Sequence, residues 1–141
     1  MSDNAGSINL IIGCMFSGKS TETIRLIRRY QNIKGKNILV INHEIDKRYG
    51  ESVISSHDKV QLKCISLKNL FDIKGKREYK NADVIFVEEG QFFKDLFDFV
   101  TQAADNDKKN VFVTGLDGDY KRDVFGDICR LIPHAENITK L

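Results

Sequence analysis

Apolar residues in this chain come in short continuous runs separated by longer polar or amphipathic stretches. The runs are INLII from Ile8, NILVIN from Asn37, DVIFV from Asp83 and NVFVTG from Asn110. Each is rich in β-branched residues and does not alternate with polar ones, the mark of a strand covered on both faces. Helical spacing fills the intervals. TETIRLIRRYQNI sets Ile24, Ile27 and Gln31 beside Leu26, Tyr30 and Ile33, with arginines on the other side and Gly35 as the stop. FFKDLFDFVTQAAD repeats the pattern, with Phe93, Leu96, Phe97 and Val100 as candidate core. Strands alternating with helices predict an α/β fold, a parallel sheet with flanking helices, whose ligands gather beyond the carboxyl ends of the strands.

Less regular segments complete the reading. His43 to Lys63 is polar, with Gly50 and paired serines, and predicts a loop or β-hairpin outside the core. Cys64 to Phe71 has a few apolar positions, and KGKREYKNAD after it reads as a solvated helix end and loop. Ile128 to Ile132 predicts a short helical turn before Pro133, and Asn137 to Leu141 begins a strand-like pattern.

Length and charge narrow the setting. At 141 residues the expectation is one domain, residues 1–141, with a real core. The 22 basic and 20 acidic residues are interspersed, giving +2, so charge makes no case for a nucleic-acid partner. No leader-like N-terminus or membrane-length apolar run is present, and a cytoplasmic protein is the expectation. The three cysteines, Cys14, Cys64 and Cys129, form no C-x-x-C pair and are expected to be reduced thiols; Cys14 reads as a small space-filling residue.

The candidate chemistry begins where the first apolar run ends. Gly13, Gly18, Lys19 and Ser20 complete G-x-x-x-x-G-K-[ST] between a predicted strand and a predicted helix, the P-loop pattern, so the fold expected is of the P-loop NTPase type. Backbone N–H groups and the positive helix end would cradle nucleotide phosphates, Lys19 would add a cation, and Ser20 a hydroxyl for Mg²⁺. Glu88 and Glu89 follow DVIFV. An acidic residue at the end of a buried strand suits metal binding through water, which makes Glu88 the metal candidate and leaves Glu89 as base. The alternative for such a pair is a helix N-terminus favoured by the dipole. Asp117 follows NVFVTG in the same way. In DKRY, Asp46 could assist the metal and Arg48 could grip a phosphoryl group, although charged loop residues are commonly just solvated. His57 with Asp58 reads as structural, since no nucleophile motif accompanies it.

Taken together, GCMFSGKST from Gly13, DKRY from Asp46, HD at His57, EEGQFF from Glu88 and LDGDYKRDVFG from Leu116 resemble the type II thymidine kinases, the cellular and poxviral kind, in the family's order across nearly the whole chain. The resemblance implies transfer of the γ-phosphoryl group of ATP to the 5′-hydroxyl of thymidine or deoxyuridine with Mg²⁺, and a homotetramer. It implies a donor site of Gly13, Met15, Phe16, Ser17, Gly18, Lys19, Ser20 and Thr21. Metal would be held through water by Ser20, Glu88 and Asp46, with Glu89 as base and Arg48 on the transferring group. Met15, Phe92, Leu116, Tyr120 and Phe125 would line the nucleoside pocket.

The chain departs from that pattern in places. Glu88 stands where the family usually has Asp, Lys94 where it often has Pro, and Asp123 and Val124 where it often has Lys-Pro. Members normally continue into a zinc-bearing unit with four cysteines and a loop that reads the thymine edge. This chain ends at Leu141, so zinc is not expected in it, and truncation or natural reduction are both open. Two other readings stand beside the kinase: an ATP-binding remnant, and a P-loop ATPase in which Glu89 polarises water.

Overall fold

A computed structural model describes residues 6–13, 18–44, 53–55, 61–116 and 126–141. Its centre is a six-stranded sheet. In chain order the strands are β1 (Ser7–Gly13), β2 (Ile38–His43), β5 (Ile65–Leu67), β6 (Val84–Val87), β7 (Asn110–Leu116) and β8 (Asn137–Lys140). In space they run β5-β2-β6-β7-β1-β8, and every neighbouring pair is parallel. A separate antiparallel hairpin, β3 (Val53–Ser55) with β4 (Gln61–Lys63), lies within the stretch predicted as a hairpin excursion. The helices are α1 (Lys19–Gln31), α2 (Arg77–Asn81), α3 (Leu96–Asp105) and α4 (Gly126–Leu131).

Because side chains alternate along a strand, the continuous apolar runs supply two cores at once. Leu10, Ile12, Leu39, Ile41, Ile85, Val87, Val111 and Val113 face Phe99, Val100 and Ala103 of α3 and Leu131 of α4. Ile11, Val40, Val84, Phe86 and Phe112 face Ile24 and Ile27 of α1. Phe86 and Phe112 stack 4.7 Å apart, and Tyr30 meets Phe112 edge-on at 5.6 Å. The result is a three-layer α/β molecule with α1 on one face and α3 and α4 on the other, as the alternation predicts.

Several details differ from the sequence reading. Gln31 and Ile33, placed in the helix pattern, are both exposed, since α1 ends at Gln31 and the chain turns through Gly35 at φ 86°. The helix expected directly after EEGQ starts only at Leu96, because a 3-10 turn over Gly90–Phe92 comes first. Asp95 explains the delay: its carboxylate accepts from the N–H groups of Leu70 and Phe71 and ties this corner to the segment after β5. Phe93 is buried as expected, whereas Phe97 is only partly covered. The charged run KGKREYKNAD contains α2 and a buried Tyr79, which the reading as a solvated end did not foresee.

Candidate active site

The carboxyl ends of β1, β7 and β6 bring the main sequence candidates to one edge of the sheet. Gly13 closes β1 opposite Leu116, the last residue of β7. Six residues on, α1 opens at Lys19 with Gly18 as its N-cap in the left-handed region, φ 95° and ψ 16°. A Cβ at Gly18 would meet nothing within 4 Å, so glycine is required there by the turn itself and not by crowding. Glu22 donates its N–H to the Gly18 carbonyl, and the buried Thr23 hydroxyl donates to Lys19 O at 2.8 Å, which fixes the first turn. Glu22 also pairs with Arg25, whose hydrogen bond holds the carboxyl below its usual range. The helix thus presents its positive end and the half-buried Lys19 at the mouth of the β1–α1 connection.

One strand separates this end from the acidic pair: β7 lies between β1 and β6. At a strand spacing of about 4.8 Å the ends of β1 and β6 stand about 10 Å apart. Glu88 and Glu89, adjacent in sequence, take different surroundings. Glu88 extends the ladder, donating its N–H to Ile41 O at 2.8 Å, and is 5 % exposed with Oε2 out of reach of solvent. Glu89 turns into the left-handed region, φ 53° and ψ 53°, an uncommon conformation for a residue with a side chain. Its N–H donates to Thr114 Oγ1 at 3.2 Å, and its Oε1 accepts from Gln91 Nε2 at 2.9 Å.

Strand register reveals a polar row that the linear motifs did not show. Ile41, Val87, Val113 and Leu10 are aligned across β2, β6, β7 and β1. The next position along the strands carries Ser66, Asn42, Glu88 and Thr114 on β5, β2, the end of β6, and β7. Asn42 and Thr114 are each 1 % exposed, and Ser66 donates its hydroxyl to Asn42 Oδ1 at 2.8 Å. Asn42 and Thr114 were visible in the sequence as lone polar residues near the ends of NILVIN and NVFVTG, the signal that could have found them. His43 ends β2 against Phe93 at 4.8 Å and Phe92 at 5.9 Å, and burial pushes its imidazole below the usual range. Phe92 itself is 40 % exposed, available to a ligand and not spent on the core.

Gly13, Gly18, Lys19, Thr21, Glu88, Glu89, Phe92 and Leu116 are therefore all placed along this edge or the first turn of α1. Ser20 is in that first turn, with no side-chain position described. Met15, Phe16, Ser17, Asp46, Arg48, Asp117, Tyr120 and Phe125 lie outside the described residues, as do His57 and Asp58.

The comparison with known proteins is decisive for ancestry. A profile of the thymidine kinase family matches residues 6–141. The chain belongs to the thymidine kinase family. It is 46 % identical to the thymidine kinase of Myxoma virus (strain Uriarra) over 136 residues, 96 % of this chain and 74 % of the viral one. It is 41 % identical over 139 residues to a thymidine kinase of Oryza sativa subsp. japonica, 96 % of this chain but 51 % of the rice protein. Against the cytosolic thymidine kinase of Cricetulus griseus it is 42 % identical over 140 residues, 99 % of this chain and 58 % of the hamster one. The chain thus spans about half to three quarters of the length of these thymidine kinases.

Among the described residues of this thymidine kinase family member, no group of three His, Cys, Asp or Glu residues could hold a metal. Mg²⁺ does not demand one, since it uses one or two carboxylates with waters and substrate phosphates. A carboxylate as buried as Glu88, just past the carboxyl end of β6, suits that donor set. No helix among the described residues is long and apolar enough to cross a membrane.

Proposed function

We propose that this chain transfers the γ-phosphoryl group of ATP to the 5′-hydroxyl of thymidine, with deoxyuridine as a second acceptor. The observation that carries the proposal is the pairing, across a single intervening strand, of the α1 N-terminus with a carboxylate pair at the end of β6. The thymidine kinase names of its relatives supply the acceptor.

Gly13 through Thr21 hold the triphosphate, with backbone N–H groups of the loop and Lys19 compensating its charge. Ser20, Glu88 and Asp46 would hold Mg²⁺, which when bound would offset the charge that develops on the leaving group. Glu89 accepts the proton of the 5′-hydroxyl as its oxygen bonds to the γ-phosphorus, while the bond from that phosphorus to the β–γ bridging oxygen breaks and ADP leaves. Arg48 stabilises the equatorial oxygens in transit. Met15, Phe92, Leu116, Tyr120 and Phe125 pack around the nucleoside, and the same reading places the protein in the cytoplasm as a homotetramer.

The test is to incubate the chain with Mg-ATP and thymidine and follow thymidine monophosphate beside inorganic phosphate. Nucleoside product is expected. ATP binding without it, or phosphate release indifferent to thymidine, would overturn the proposal. Lys19→Ala should weaken ATP binding about tenfold or more, since a charge-assisted contact to phosphate is lost; titration with a fluorescent ATP analogue reads it.

A further inference from the structure

The left-handed turn that carries Glu89 is braced by two consecutive residues of β7. Thr114 Oγ1 accepts the Glu89 N–H at 3.2 Å, which fixes the backbone of the base. The next residue, Gly115, makes room for Gln91. A Cβ at Gly115 would stand 2.7 Å from Gln91 Oε1 and closer still to Ile128 Cδ1, so the amide occupies space that only glycine leaves. From there the other end of the amide, Nε2, donates to Glu89 Oε1 at 2.9 Å. The direction is chemically determined, because an ionised carboxylate only accepts and the NH₂ end must face it.

We infer that Gln91 is a positioning residue for phosphoryl transfer, acting through the Glu89 carboxylate. The inference rests on the proposed role of Glu89 as base. A carboxylate on two rotatable bonds beyond Cβ sweeps a wide arc, and a general base acts only within hydrogen-bond reach of the proton it removes. The turn over Gly90–Phe92 sets Gln91 two residues from Glu89 and half-buried against β7, so its donor is fixed before substrate arrives. Phe92, whose N–H donates to Glu89 O at 3.1 Å, follows directly and is exposed on the same turn. One turn therefore fixes the proposed base and presents the exposed ring proposed for the nucleoside pocket.

Steady-state kinetics on four variants test this. Gln91→Leu keeps the volume and removes the donor; it should lower kcat about tenfold with KM for ATP within about twofold, because the contact matters to transfer and not to donor binding. Gln91→Glu replaces the donor with a repelling carboxylate and should lower kcat further, so a folded variant of either kind reads the effect. Glu89→Asp retracts the carboxylate from the amide at the cost of some activity. Adding Gln91→Leu to Glu89→Asp should then cost nothing more, whereas independent structural roles would multiply. A Gln91→Leu kcat within twofold of the parent, or a multiplicative double variant, would overturn the positioning role. Glu89→Gln is the separate control: retained turnover there would remove Glu89 as base, while lost turnover with an indifferent Gln91 would sink the positioning role alone.

Discussion

Glu89 carries a side chain through a backbone conformation that glycine adopts more easily, with φ 53° and ψ 53°. Such a conformation costs a non-glycine residue on the order of 1 kcal/mol or more, and here the hydroxyl of Thr114 and the amide of Gln91 hold it. With Glu89 as the proposed base, stability and chemistry are opposed at this position. Glu89→Gly should raise unfolding stability by about 1 kcal/mol in a denaturant titration while product formation falls to background. A glycine variant less stable than the parent would show that the left-handed turn stores no strain. Glu88, its neighbour, donates its N–H to Ile41 O and buries its carboxylate, so two identical side chains in EEGQFF stand in different surroundings. The letters EE show that acids are present at a strand end. Their different surroundings depend on φ and on the register with β7, which the linear pattern does not express.

The same contrast holds for whole elements. The four long apolar runs became strands within a residue or two of their ends, because burial on both faces demands continuous hydrophobicity. The edge strand β5 has only three residues, too few to show periodicity, and its pairing with β2 is a tertiary fact. In α2, charge hid a buried face. Tyr79 is 3 % exposed and packs edge-on against Phe99 at 5.8 Å, while the lysines around it stay exposed as Lys76 and Lys80 do, pair with a carboxylate as Lys74 does with Asp107, or turn onto carbonyls. Lys109 does the latter: Nζ donates to Lys80 O at 3.1 Å and Ala82 O at 2.8 Å and lies 4.9 Å from the Tyr79 ring centre. Burial pushes its ammonium below the usual range, and the two carbonyls justify keeping it there. Lys109→Met preserves the aliphatic stem but leaves those carbonyls without this donor, at a cost of about 2 kcal/mol. The expected result is a lower thermal midpoint, with the proposed thymidine phosphorylation at 25 °C near the parent value because α2 and the start of β7 lie at the opposite end of the strands from Glu89. An unchanged midpoint would show that water replaces the ammonium at no cost.

Across the whole molecule, the parallel sheet separates two groups of titrating residues, and acid should reach them in sequence. At the front edge His43 is packed against Phe92 and Phe93, and burial lowers its pKa from 6.5; Glu44 and Asp95 pull the other way, while the Lys68 charge adds to the lowering and a backbone hydrogen bond with Lys68 opposes it. A histidine held neutral in the folded state binds fewer protons there than in the unfolded chain. Its contribution to stability is therefore complete above pH 6.5 and is lost as pH falls from 6.5 through the lowered folded value. At the far end, Asp107 accepts a hydrogen bond from the Tyr79 hydroxyl and pairs with Lys74 at 3.1 Å, contacts that lower its pKa from 3.8. Its contribution is complete above pH 3.8 and disappears only as pH falls through its own lowered value. The first loss of stability on mild acidification should thus come from the edge that carries His43, before the rear network is touched. His43→Phe keeps an aromatic ring against Phe92 and Phe93 and removes the titration. Guanidinium unfolding of parent and variant at half-unit steps below pH 6.5 should show the parent weakening more steeply over the upper part of the range. Parallel slopes there would show that His43 is not the group that takes up the proton.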